Sequence, residues 1–117
     1  MRLDIRRYPR VNLRAFAALN STSKGDINKE YNALCINIGE GGCCLELDAL
    51  LSGDDIDFGV KVGIDLPDRP SRLIVNGRII WLREENRDLL VKYLVGIEFE
   101  GLKPEDRRML RDFVASQ

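Results

Sequence analysis

The 117-residue chain predicts an all-β fold, a six-stranded antiparallel β-barrel with one C-terminal α-helix. Three observations point there. Apolar and polar residues alternate in six short stretches, turn-forming clusters separate those stretches, and the apolar period becomes helical only at the end of the chain. The length suits a single domain with a substantial core. No apolar run approaches the ~20 residues that a membrane-spanning helix needs, so no membrane insertion is expected.

The first strand is read from Val11, Leu13, Ala15 and Ala17, which alternate with Asn12, Arg14, Phe16 and Ala18. In the second, Leu34, Ile36 and Ile38 share one face while Cys35 and Asn37 take the other; in the third, Cys43, Leu45 and Leu47 alternate with Cys44 and Glu46. The same period returns at residues 60–66, 73–81 and 93–99. Polar breaks at 20–25, 52–55, 67–70 and 83–88 read as turns or loops. Short strands spaced this way favour an antiparallel barrel over alternating strand and helix units.

The tail changes period. Pro104 suits a first helical position, Glu105 and Asp106 suit the positive end of the helix dipole, and Met109, Leu110, Phe113 and Val114 fall on one face. A helix over about 103–115 is expected to pack on the barrel. Residues 1–10 read as a flexible Arg-rich arm and residues 11–117 as the folded domain, with further mobility expected at 20–26 and in the last few residues.

Cys35, Cys43 and Cys44 are an odd set without metal-ligand spacing, and the chain has no histidine to complete a zinc site. They read as structural thiols, with Cys43 and Cys44 on opposite strand faces so that one of them reaches solvent. The amino terminus lacks an apolar stretch behind its basic residues, so the cytoplasm is the expected location. Without histidine, a Gly-x-Ser-x-Gly elbow or an activated-cysteine pattern, the chain is not expected to be an enzyme. The run Asp54, Asp55, Asp57 lacks the spacing of a calcium loop and reads as solubilising.

The net charge of −1 hides an asymmetry. Residues 1–14 carry five arginines against Asp4, whereas residues 40–68 carry eight acids against Lys61. The acidic middle would repel a long polyphosphate backbone, so DNA and RNA are not expected partners, and a small doubly charged ligand fits better. The basic end contains Arg6, Arg7 and Arg10 around Tyr8-Pro9. Pro9 favours extended backbone before it, which places Arg6 and Arg10 on one side roughly 13 Å apart and Arg7 on the other. A solvated basic tail is the alternative for such a run.

A second feature is the glycine-dense corner Asn37-Ile38-Gly39-Glu40-Gly41-Gly42. Its glycines serve either a hairpin turn with positive φ or a floor against which a flat ring can lie, and the Asn37 amide suits a base edge. It is not a Walker loop, because no Gly-Lys-Ser or Gly-Lys-Thr follows. Trp81 and Tyr93 read as core or rim packing, and Arg78 as an ordinary exposed strand arginine.

Together the Arg-x-x-x-Arg spacing of Arg6 and Arg10 and the Asn37-to-Gly42 corner resemble the two motifs of the PilZ domain, a bacterial receptor module for cyclic di-GMP. The stretches 77–81 and 93–99, followed by a terminal helix, resemble the late part of that domain, and the likeness covers nearly the whole chain. It implies a cyclic di-GMP effector with no other cofactor, in which the arm closes over the ligand and the altered surface signals to a protein partner that controls motility, exopolysaccharide or adhesion. It also implies a binding set of Arg6, Arg7, Arg10, Asn37, Gly39 and Gly42. Arg6 and Arg10 hold phosphate and guanine, Asn37 reads a guanine edge, and Gly42 lets the base lie near the backbone. Gly39 stands where the family motif has serine, which removes one hydroxyl contact worth about 0.5–1.5 kcal/mol. That departure keeps a second reading open, a PilZ-like interaction module that no longer binds nucleotide. A single-stranded nucleic-acid barrel is a third. A monomer or weak homodimer is expected.

Overall fold

The computed structural model describes residues 8–22, 28–48 and 59–117. Six strands follow one another, β1 (Arg10–Thr22), β2 (Asn28–Gly39), β3 (Gly42–Leu47), β4 (Gly59–Ile64), β5 (Leu73–Arg87) and β6 (Leu90–Glu100), and the helix α1 (Pro104–Ala115) ends the chain. Every pairing is antiparallel, in the order β1-β2-β3-β6-β5-β4, and β4 pairs back onto β1 through Ala17 and Ile64, so the sheet closes on itself as a ring. Where the six strands close on one another, no strand edge is left free among the described residues.

Side chains such as Leu19, Ile38, Leu45, Val62, Ile79 and Ile97 fill the ring and are fully buried. Leu110 of α1 belongs to the same cluster, with Met109 and Phe113 packed beside it, which is why the apolar face of the helix lies against the ring. Pro104 occupies the first helical turn as expected, with Glu105 and Asp106 behind it.

Two polar stretches read as breaks are strand instead. Asn20 and Ser21 lie in β1 and pair with β2 on one side and β4 on the other. Residues 83–87 continue β5 and pair with β6, from Arg83 opposite Leu94 to Arg87 opposite Leu90. Glu85, Asn86 and Arg87 lie beyond Tyr93, where the described pairing of β6 with β3 stops, so among the described residues this end is a two-stranded ribbon and nothing forces an apolar period on it. The turn at 67–70 is as expected, with Asp68 at φ 62. The breaks at 23–25 and 52–55, the Asp54 to Asp57 run and the first seven residues lie outside the described residues.

The face assignment of β2 also needs correction. Ala33, Cys35 and Ile38 point inward, not Leu34, Ile36 and Ile38, because Ile36 is an extra residue in the ladder: Cys35 pairs with Leu45 but Asn37 pairs with Cys44. A bulge of one residue reverses the faces beyond it. The cysteines differ as well: Cys44 faces outward yet is only 4% exposed, so neither member of the neighbouring pair reaches solvent freely. Cys35 donates to the Asn37 carbonyl at 3.3 Å. The Cys43 thiol is pushed well above the ordinary thiol range, first by its hydrogen bond with Cys35 and then by burial, which keeps it protonated and unreactive.

The β5–β6 turn is Asp88-Leu89, with φ 47 and 71, both in the left-handed region. That geometry suits a two-residue hairpin but favours Asn or Gly at both places, and Leu89 is a fully exposed leucine there. Leu89→Gly should therefore raise the unfolding free energy by about 0.5–1 kcal/mol and the melting temperature by several degrees, measured by thermal and urea denaturation; a lower melting temperature would contradict the geometry.

Candidate functional site

The outer wall of β2, β3, β6 and β5 carries a row of mutually paired residues. Asn37 lies opposite Cys44, Cys44 opposite Gly96, and Gly96 opposite Trp81. Three steps between strands at about 4.8 Å each separate Asn37 from Trp81 by roughly 14 Å. Both ends of the row depend on a bulge. On β5 the inward residues are Val75, Gly77 and Ile79, and strict alternation would send Trp81 into the ring. Ile80 is the extra residue, since Ile79 pairs with Ile97 and Trp81 with Gly96, so Trp81 turns outward and Leu82 returns to the core. Ile36 does the same for Asn37. Bulges beside a site commonly re-aim a side chain in this way.

A cavity of about 810 Å³ lies over the row, within the size range of small-molecule sites. Arg10 and Tyr8 enter it from the start of the chain, Asn37, Glu40 and Gly41 from the β2–β3 corner, Trp81 and Arg83 from β5, and Arg107 from α1. The Arg10 guanidinium donates to Asn37 Oδ1 at 3.3 Å. Its stem lies over Gly39, where a Cβ would come within 3.1 Å of Cγ, and its Nη2 would stand 3.0 Å from a Cβ at Gly42. One side chain thus spans Asn37, Gly39 and Gly42, which joins four of the residues expected from sequence. Arg6 and Arg7, expected in the same set, lie outside the described residues.

The corner glycines work by space, since none of Gly39, Gly41 and Gly42 has a positive φ. A Cβ at Gly42 would overlap the Ile97 carbonyl oxygen of β6, and one at Gly39 would overlap the Pro9 carbonyl oxygen. Serine at position 39 would therefore have to displace Pro9, so glycine here admits the chain just before β1 as well as removing a hydroxyl. The corner is tied to β6 by the Phe99 amide donating to the Gly41 carbonyl at 2.9 Å.

Charge in the cavity is arranged by pairs. Glu40 is buried and accepts from Arg111 of α1 at 3.1 and 3.4 Å, while Glu98 accepts from Arg78 at 3.3 Å. The Glu40 carboxylate in turn holds the Arg111 guanidinium above its ordinary range. Each cavity acid is thus neutralised by an arginine that is not among the cavity's lining residues; Arg83 is itself paired with Glu85, and Arg10 and Arg107 give the lining its positive character, suited to an anion.

Trp81, read from sequence as core or rim packing, lies flat on Gly96, where a methyl group would overlap the indole Nε1. Arg83 stacks over the same ring with Cζ 5.7 Å from its centroid. Sequence reasoning also left Tyr8, Arg83 and Arg107 out of the site. The spacing of Arg107 and Arg111, four apart and hence on one helical face, was the available signal for α1. Nothing in the sequence marks the bulge at Ile80. Tyr93 packs against the core as expected, and Arg78 is partly exposed and paired with Glu98.

A family model for the PilZ domain matches residues 4–116, nearly the entire chain. The chain belongs to the PilZ family. Solved structures agree on the fold. The Bacillus subtilis inhibitor of motility MotI/DgrA is 17% identical with a TM-score of 0.75, covering 99% of this chain and 52% of its own. The PilZ domain of Escherichia coli YcgR with c-di-GMP is 12% identical with a TM-score of 0.74, covering 95% of this chain and 89% of its own. The K. pneumonia MrkH–c-di-GMP complex is 18% identical with a TM-score of 0.76, covering 97% of this chain and 52% of its own. This PilZ chain thus spans about half the length of MotI/DgrA and of MrkH. No curated protein matches it in sequence. Among the described residues no helix is long and apolar enough to cross a membrane.

Trp81 is the only tryptophan of this PilZ chain, so its emission reports the row directly. Gly96→Ala should leave a folded protein, destabilised by about 1–3 kcal/mol, whose emission is red-shifted because the indole has been lifted from the sheet. Unchanged emission would show that the ring does not rest on Gly96.

Proposed function

We propose that this PilZ chain is a receptor for cyclic di-GMP, bound over the row from Asn37 to Trp81. The observation that carries the reading is the convergence of Arg10 and Asn37 on one cavity whose acids are neutralised by Arg111 and Arg78, with the Arg10 side chain running over Gly39 and beside Gly42. Cyclic di-GMP offers what such a lining takes: two phosphates for guanidinium groups, guanine O6 and N7 edges for a forked arginine or an amide, and flat rings for a glycine floor. The YcgR PilZ domain and MrkH have both been solved with c-di-GMP, which supports the choice of ligand.

In this reading Arg10 grips phosphate or guanine, Asn37 reads a guanine edge, and Gly42 lets the base approach the backbone at Ile97. Arg6 and Arg7 complete the grip from the arm formed by residues 1–10. The protein performs no chemistry: capture orders the arm against residues 11–117, and the changed surface signals in the cytoplasm to a protein partner governing motility, exopolysaccharide or adhesion. MotI/DgrA is an inhibitor of motility, which makes motility the first output to examine. Gly39 favours one rival, a PilZ interaction module without nucleotide, because a motif hydroxyl is missing.

Titration calorimetry separates the two. The native chain should bind cyclic di-GMP, and Arg10→Ala should weaken binding roughly tenfold to 150-fold, the cost of about 1.5–3 kcal/mol for one charge-assisted contact. Absence of heat or of any spectroscopic change with the native chain at high ligand concentration would leave the interaction module as the account.

A further inference from the structure

Three guanidinium groups line the cavity, and their partners distinguish them. Arg83 donates to the Glu85 carboxylate at 2.9 Å, and Arg10 donates to Asn37. Arg107 comes from α1, and its Nη1 donates to the Tyr8 hydroxyl at 3.2 Å, with Cζ 5.9 Å from the centroid of the Tyr8 ring. Among the described residues no carboxylate pairs with it. Its two neighbours on the helix are otherwise placed: Arg111 is engaged by Glu40, and Arg108 lines a separate groove beside Pro67 and Asp68.

A guanidinium has five N–H donors, and a phenol oxygen takes one of them. An anionic phosphate oxygen is the stronger acceptor, with bonds roughly twice as strong as neutral ones. The cavity is therefore lined by a partly buried cation, held in place by a neutral group that an anion outcompetes. Tyr8 lies just before Pro9 and Arg10, so the contact also ties the chain leading into β1 to the helix.

We infer that Arg107 is a phosphate-binding residue of this site, the contribution of α1 to holding the dinucleotide, and that binding transfers it from Tyr8 to the ligand. This rests on the reading of the site as one for cyclic di-GMP. The occupied site then holds the arm through Arg10 and the helix through Arg107, so that ligand reaches α1 without passing through the core.

The test is a cyclic di-GMP titration of the full chain and of Arg107→Gln, Arg107→Lys and Arg108→Gln, at low and raised salt. Arg107→Gln should bind roughly tenfold or more weakly, Arg107→Lys should recover part of the loss, and Arg108→Gln, which removes the same charge from the neighbouring position, should bind within about twofold of the native chain. Added salt should weaken the native chain more than Arg107→Gln. Native binding with Arg107→Gln within about twofold of it overturns this inference and leaves the proposed function standing. Equal losses in Arg107→Gln and Arg107→Lys with lowered melting temperatures assign the effect to helix packing and also overturn it. No binding by the native chain removes both.

Discussion

Two extra residues in the strand ladders, Ile36 and Ile80, decide what faces out from this ring. Inward positions on β2 run Ala33, Cys35, and on β5 Val75, Gly77, Ile79; unbroken alternation would bury Asn37 and Trp81 and expose Ile38 and Leu82. Burying an asparagine amide without partners costs several kcal/mol at the high end of such penalties, and exposing an isoleucine forfeits the gain from its burial. Each bulge resolves both conflicts in one step, since a shift of one residue exchanges the faces of everything after it. The core stays apolar, and the outer wall acquires an amide at one end of a row and an indole at the other.

That row becomes a site only because backbone and charge cooperate around it. Gly42 brings the corner against the Ile97 carbonyl, Gly96 gives the indole a flat seat, and Gly39 leaves room for Pro9, so three missing Cβ atoms set how closely the groups around the row approach one another. A chain with a net charge of −1 still presents a cationic lining because Glu40 and Glu98 are each engaged by an arginine that is not itself a lining residue. The helix is part of the same arrangement. Arg107 and Arg111, one turn apart, hold Tyr8 and Glu40, linking the two stretches that the sequence motifs single out.

Much of the ring was legible in the sequence because burial writes itself as alternation. Six stretches of period two became six strands, and the Pro104 start with the Met109, Leu110 and Phe113 stripe became α1. What escaped has physical causes. Residues 85–87 lie beyond the described pairing of β6 with β3, so no apolar alternation marks them, and Arg83 is polar because it faces the cavity. Cys44 faces away from the core yet is covered, and strand parity, which put one cysteine on an outer face, does not register what lies over that face. The corner from Asn37 to Gly42 was legible as a unit, although its glycines meet a demand for space rather than for positive φ. Trp81, Arg83 and Arg107 were illegible as a group because a bulge and a helix bring them together from separate parts of the chain.

If one ligand lies along the whole row, the most direct measurement follows the amide signals of Asn37, Gly42 and Gly96 and the indole signal of Trp81 by nuclear magnetic resonance as cyclic di-GMP is added. All four should move together with one dissociation constant, while Phe16 and Ile74, exposed and outside the cavity lining, stay fixed. Movement confined to Phe16 and Ile74, or a Trp81 signal unmoved while the corner saturates, would contradict the proposed site.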